Sequence, residues 1–231
     1  PLSAVCRVPQ PGATVWRSKD LKDTPCYSSI TKVTIDGVPQ YIQLTDQNVV
    51  GVAPADGRVL WRGTRRGRVA VIPTPIYQAN HVYVTSGYGV GCNLFKITSE
   101  NGNFKAEEVY ANRNMVNHHG GVVRIGDNLY GHSESGGWTC QEFKTGNVVW
   151  KNGGVAKGSV TCADGRLYMR SEGGKGTLAL VEATPDGYKE KGRFDQPDRS
   201  AKPSWPHPVI ANGKLYLRDQ GLLLCYDVKK K

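Results

Sequence analysis

The side chains able to do chemistry collect in a few short stretches. His118 and His119 are adjacent, Glu134 follows His132 and Ser133, Lys157 precedes a glycine, and Arg170 and Glu172 flank Ser171. Trp205 and His207 flank a proline, and Arg218, Asp219 and Gln220 run consecutively. A carboxylate within reach of a substrate hydroxyl can serve as a general base, and a guanidinium can grip an anionic group. An indole such as that of Trp205 offers a stacking face. Adjacent imidazoles suggest a metal site, yet neighbours on an extended strand point to opposite faces. No metal ligands and no catalytic residue are therefore expected here.

The elements that must position these groups are strands. Residues 118–150 read as four short extended runs: 121–125, a turn at Gly126-Asp127, 128–132, 138–143, a turn at Thr145-Gly146, and 147–150. Short strands joined by turn residues form one antiparallel sheet. The unit repeats. Its second strand recurs around Tyr41, Tyr83, Tyr130, Tyr168 and Tyr216, spaced by 42, 47, 38 and 48 residues. The turn before it recurs as Asp36-Gly37, Asn80, Asp127, Asp164-Gly165 and Asn212-Gly213. A period of about 40–50 residues with four strands per unit is the signature of an all-β propeller of antiparallel blades. The blades are expected at 27–68, 73–115, 117–155, 157–200 and 204–231, with residues 1–26 a tail and the outer strand of a preceding or closing blade. The last unit has three strands. Thr14–Arg17 either supplies its fourth and closes a five-bladed ring, or ends an upstream blade of a larger propeller.

Composition agrees with many turns and little helix: 39% hydrophobic residues, 28 Gly and 13 Pro. No apolar run approaches the roughly 20 residues of a membrane helix. The net charge of +10 owes much to Arg62, Arg65, Arg66 and Arg68 in one loop and to Lys229–Lys231 at the end. A solvated loop and a frayed tail are expected there, with nucleic acid not expected as a partner. Six cysteines form no CxxC pair, so free thiols are expected rather than a zinc site or a disulfide framework. Cys140 and Cys225 occupy the place that Leu94 holds in its unit, which predicts core positions. Gly87-Tyr88-Gly89-Val90-Gly91 has the look of a phosphate loop, but a strand rather than a helix follows it.

Two segments carry a family resemblance. Ala53-Pro54-Ala55-Asp56-Gly57-Arg58-Val59-Leu60-Trp61 and Phe143-Lys144-Thr145-Gly146-Asn147-Val148-Val149-Trp150 resemble the docking motif of pyrroloquinoline-quinone-like propeller repeats. The resemblance implies that Trp16, Trp61 and Trp150, with Gly57 and Gly146, dock neighbouring blades. The stretches 106–110, 117–123, 156–168 and 204–220 resemble an exported bacterial branch of that family. That branch implies a periplasmic or otherwise extracytoplasmic location and about eight blades, of which this chain would be a C-terminal part.

The family holds both quinoprotein dehydrogenases, which carry the quinone with Ca²⁺, and a cofactor-free propeller that assists outer-membrane assembly. This chain has no adjacent cysteines of the kind that alcohol dehydrogenases of this type set against the quinone. No acidic cluster supplies calcium ligands. The expectation is a non-catalytic binding or scaffold module without cofactor, its partner a protein or a small polar ligand. A fragment of a quinone-dependent alcohol or sugar dehydrogenase is the alternative. The expected contact residues at the funnel mouth are His118, His119, Glu134, Lys157, Arg170, Glu172, Trp205, His207, Arg218 and Asp219. Against a binding role, Arg170–Glu172 and Arg218–Asp219 are expected to form ion pairs that brace the blades.

Overall fold

The computed structural model describes residues 5–7 and 12–229, so Lys230 and Lys231 of the basic tail lie outside the described residues. Among these residues there are 21 strands and no helix. The chain divides into two compact units, Pro1–Arg113 and Asn114–Lys231.

The first unit opens with β1 (Val5–Arg7) and β2 (Thr14–Arg17), paired with each other as a two-stranded sheet. Thr14–Arg17 thus has its partner in the segment just before it. Two four-stranded antiparallel sheets follow. One is β3 (Thr31–Ile35), β4 (Val38–Leu44), β5 (Asn48–Val52) and β6 (Val59–Thr64). The other is β7 (Ile76–Gln78), β8 (His81–Ser86), β9 (Gly91–Glu100) and β10 (Asn103–Asn112). Ile35, Ile42, Leu44 and Val49 of the first sheet share one core with Val82, Val84, Phe95 and Ile97 of the second.

The second unit holds β11 (Val122–Ile125), β12 (Asn128–Ser133), β13 (Gly137–Glu142) and β14 (Val148–Asn152) as one sheet. A second sheet contains β15 (Gly158–Ala163), β16 (Arg166–Ser171), β17 (Leu178–Glu182) and β18 (Glu190–Phe194). The third has β19 (Val209–Ala211), β20 (Lys214–Asp219) and β21 (Leu222–Asp227), three strands as its sequence foretells. Tyr130, Trp138 and Cys140 pack on Val160, Leu167, Met169 and Val181. Leu178 and Phe194 pack on Leu215, Leu217 and Tyr226.

Burial follows strand position. Central strands such as β5 and β13 are buried along nearly their whole length, because sheets cover both faces. The outer β10 alternates exposed and half-buried residues over much of its length. Two-residue turns at Asp36-Gly37, Asp164-Gly165 and Asn212-Gly213 have positive φ at both positions, the twist that tight hairpins require. The repeating tyrosine of the second strand faces the same third-strand site in each sheet: Tyr41–Val52, Tyr83–Leu94, Tyr130–Cys140, Tyr168–Leu180 and Tyr216–Cys225. Leu94 and Cys140 are fully buried, as expected. Cys225 is exposed instead. It shares a face of β21 with Leu223, itself 66% exposed, and no further sheet of the described chain covers that face. Cys26, Cys92, Cys140, Cys162 and Cys225 are all free thiols.

Candidate functional site

The second unit gathers most of the predicted mouth residues into one network. His119 ends the segment before β11, Lys157 sits just before β15, Glu172 just after β16, and Trp205 and His207 lie on the segment leading into β19. His119 Nε2 stands 2.9 Å from Glu172 Oε2, and Lys157 Nζ stands 3.4 Å from Glu172 Oε1. The rings of His118 and Trp205 lie 5.4 and 5.6 Å from that of His119. His207 Nε2 is 2.9 Å from the His119 carbonyl, and its ring covers Gly121 so closely that any side chain there would collide with it. Burial, reinforced by the Lys157 ammonium, pushes His119 down to about 4, and burial does the same to His132. The contact with Glu172 at neutral pH is therefore between a neutral imidazole and a carboxylate, with Lys157 supplying the positive charge. Trp205 is 60% exposed and forms the rim.

A second network joins the first through Arg199. Asp219, 2% exposed, accepts from Arg199 Nη1 at 2.6 Å, the Ser200 amide at 2.8 Å and Gln196 Nε2 at 3.0 Å through Oδ2, and from the Ser200 hydroxyl at 2.7 Å through Oδ1. Burial alone would raise its pKa. The donors from Ser200, Arg199 and Gln196 outweigh burial and hold the carboxyl well below the usual range. Arg199 also donates to the Glu172 carbonyl at 2.7 Å, tying the two networks together. Arg170, 1% exposed, donates to Gln196 Oε1 and, at 2.7 Å, to the Arg218 carbonyl.

The ion pairs differ from those the sequence suggests. Glu172 meets His119 and Lys157 rather than Arg170, and Asp219 meets Arg199 rather than Arg218. Side chains at successive positions of a strand point to opposite faces, so Arg218 stays exposed while Asp219 turns inward. Glu134 is exposed, its amide donating to the Val116 carbonyl at 2.9 Å. Arg199, Gln196 and Ser200 were not foreseen. They lie in a loop with no repeat pattern, and only their density of polar residues hinted at a role.

The position that Asp219 occupies is a brace in other sheets as well. Ser133 accepts from the Val116 amide at 2.9 Å, and Ser86 accepts from Arg65. In the first sheet Leu44 holds that position, and the next residue, Thr45, accepts from the Asn48 amide at 2.9 Å and donates to Asp23 at 2.7 Å. The docking tryptophans divide. Trp16 Nε1 donates to the Pro54 carbonyl and Trp150 Nε1 to the Thr184 carbonyl, each tying its sheet to a turn of the next one at 2.8 and 2.9 Å. Gly57 has φ +77 and lies flat against the Trp16 ring. Gly146 has φ +73, and its carbonyl accepts from Asn114 and Gln141. Trp61 Nε1 donates instead to Gln40 of its own sheet at 2.7 Å. The next sheet offers no equivalent turn at that place, because β9 and β10 run on as a hairpin of two ten-residue strands.

Neither Asp219 nor Glu172 offers an unengaged carboxylate to the Ca²⁺ of a bound quinone. Asp219 already has a guanidinium and three other donors, and Glu172 faces an ammonium, so a cation would meet positive charge beside either carboxylate. Among the described residues no three His, Cys, Asp or Glu side chains gather as metal ligands. No helix among them is long and apolar enough to cross a membrane.

Comparison with known proteins follows the fold. BamB from Moraxella catarrhalis superposes with a TM-score of 0.62 at 14% identity, over 93% of this chain and 63% of that one. The computationally designed protein Ika8 gives 0.64 at 10% identity, over 94% and 62%. The WD40 β-propeller domain of Doa1 gives 0.51 at 14%, over 84% and 61%. The chain spans less than two thirds of the length of each. No curated protein sequence matches it. These likenesses establish a β-propeller fold. A sequence model described as outer membrane protein assembly factor BamB matches residues 5–152, well over half of the chain, and the chain belongs to that family.

Proposed function

We propose that this chain is part of a non-catalytic, extracytoplasmic propeller that binds a protein partner during outer-membrane assembly and needs no cofactor. The family match over residues 5–152 carries this reading. Local geometry supports it: the buried carboxylate at the expected mouth is fully engaged, and the open rim presents Trp205 with Lys157 and His207 beside it. An exposed indole flanked by polar groups is typical of a protein-contact rim.

A photo-crosslinking residue in place of Trp205, in the chain expressed in a bacterial envelope, tests the binding. The expected result is a discrete adduct with an outer-membrane assembly component, weakened by Lys157→Glu; no adduct in the envelope fraction counts against it. Purified protein with Ca²⁺ and pyrroloquinoline quinone tests the rest. Saturable quinone binding with alcohol-dependent dye reduction would establish the dehydrogenase alternative.

A further inference from the structure

The arginine-rich loop does not behave as one solvated segment, and its partition creates a site. Arg65 is 4% exposed. It donates to Ser86 Oγ, to the Gly91 carbonyl at 2.8 Å and to Asn93 Oδ1 at 3.1 Å, and burial lowers its pKa to about 10. Gly67 donates its amide to the Asp46 carbonyl at 2.7 Å, and the carbonyls of Ala70 and Val71 accept from Gly87 and Tyr27. The backbone is thus pinned at 65, 67, 70 and 71. Arg66 and Arg68 alternate with the pinned residues and point outward. Within the described residues neither makes an ion pair or a side-chain hydrogen bond.

The opposite rim is the glycine-rich turn of residues 87–91, which has the look of a phosphate loop but no helix after it. Together the rims border two adjoining hollows, both open to solvent and sharing Arg66, Val90 and Arg113. Arg68 and Tyr88, the latter 47% exposed, line the larger hollow. Guanidinium forks match carboxylates two bonds at a time, and a pinned backbone reduces the entropy lost when they engage. The hollows adjoin as one open trough rather than an enclosed pocket, which fits a peptide chain better than a small buried anion. Tyrosine with arginine is also the composition of protein-contact hot spots.

We infer that the trough lined by Arg66, Arg68, Tyr88 and Arg113 binds an extended acidic segment of a partner protein, its carboxylates meeting Arg66 and Arg68. This inference rests on the partner-binding reading above and places a second contact in the first unit.

Fluorescence anisotropy with a labelled octaglutamate peptide, titrated with the whole chain at several salt concentrations, tests it. Saturable binding is expected, weakened at least tenfold by R66E/R68E and severalfold by R66Q/R68Q, with a shallower salt dependence in both. The charge-matched control K19E/K22E should change affinity less than twofold. Circular dichroism and thermal midpoints verify that the variants fold. Three results would overturn the inference: no saturable binding, equal losses in both charge-reversal variants, or displacement of the peptide by equimolar inorganic phosphate. A failed peptide titration with an intact Trp205 crosslink would remove the trough and leave the partner-binding reading in place.

Discussion

Replacing Asp219 offers the sharpest test of how the second unit is held together. Asp219→Ala deletes the acceptor of four hydrogen bonds and leaves the Arg199 guanidinium, 9% exposed, without its carboxylate. Removing one partner of a buried pair costs about 3–5 kcal/mol. Asp219→Asn should cost about 1–2 kcal/mol. Its amide oxygen can occupy the Oδ2 position, and the Ser200 hydroxyl can rotate to accept from the new NH₂. Hydrogen exchange of the β20 amides in the full chain reads the difference locally. With each tenfold worth about 1.4 kcal/mol, protection should fall about 100- to 4,000-fold in the alanine variant and about 5- to 30-fold in the asparagine one. The folded pKa of Asp219 is depressed, so its contribution is present above the ordinary carboxylate pKa of 3.8 and is lost as pH falls towards the folded value. Arg199→Ala lets that pKa rise, so the acid-dependent loss of protection should be smaller and be complete at higher pH. Equal losses in the two Asp219 variants, or losses in β12 as large as in β20, would refute the reasoning.

Arg65→Ala should destabilise the first unit by about 2–4 kcal/mol, since three acceptors lose a buried cationic donor; Arg65→Lys should restore only part, read by urea unfolding. Trp150→Phe keeps a ring but loses the bond to Thr184 and should cost about 1–2 kcal/mol, whereas Trp150→Ala should cost about 3–5 kcal/mol in the same assay. Gly57→Ala should cost about 1–3 kcal/mol, because a methyl group meets the Trp16 ring at a positive φ. His119 and His132 are lowered from 6.5 to about 4, so the unfolded chain binds more protons between those values. The thermal midpoint should therefore fall as pH drops from 6.5 to 4, and H119Q/H132Q should flatten that slope.

Strand number, turn positions and the repeating tyrosine were legible in the sequence because they rest on local chemistry. Asp-Gly and Asn-Gly adopt the positive φ of tight turns, and five similar units force the same pairing in each sheet. The family resemblance was legible for the same reason, since the docking motif is a contiguous stretch. Partnership was not. Asp219 finds Arg199 rather than the adjacent Arg218, because a strand sends neighbours to opposite faces and the intervening loop folds back. Cys225 shares its register with the buried Cys140 and is nevertheless exposed, because burial depends on whether another sheet covers that face. The four arginines of one loop look alike in sequence. Arg65 lies beside Ser86, Gly91 and Asn93 once the strands assemble, while Arg66 and Arg68 are left facing an open trough. The sequence by itself determined the repeating sheet; only tertiary structure decided which polar groups brace it and which are left facing solvent, because those contacts join residues far apart along the chain.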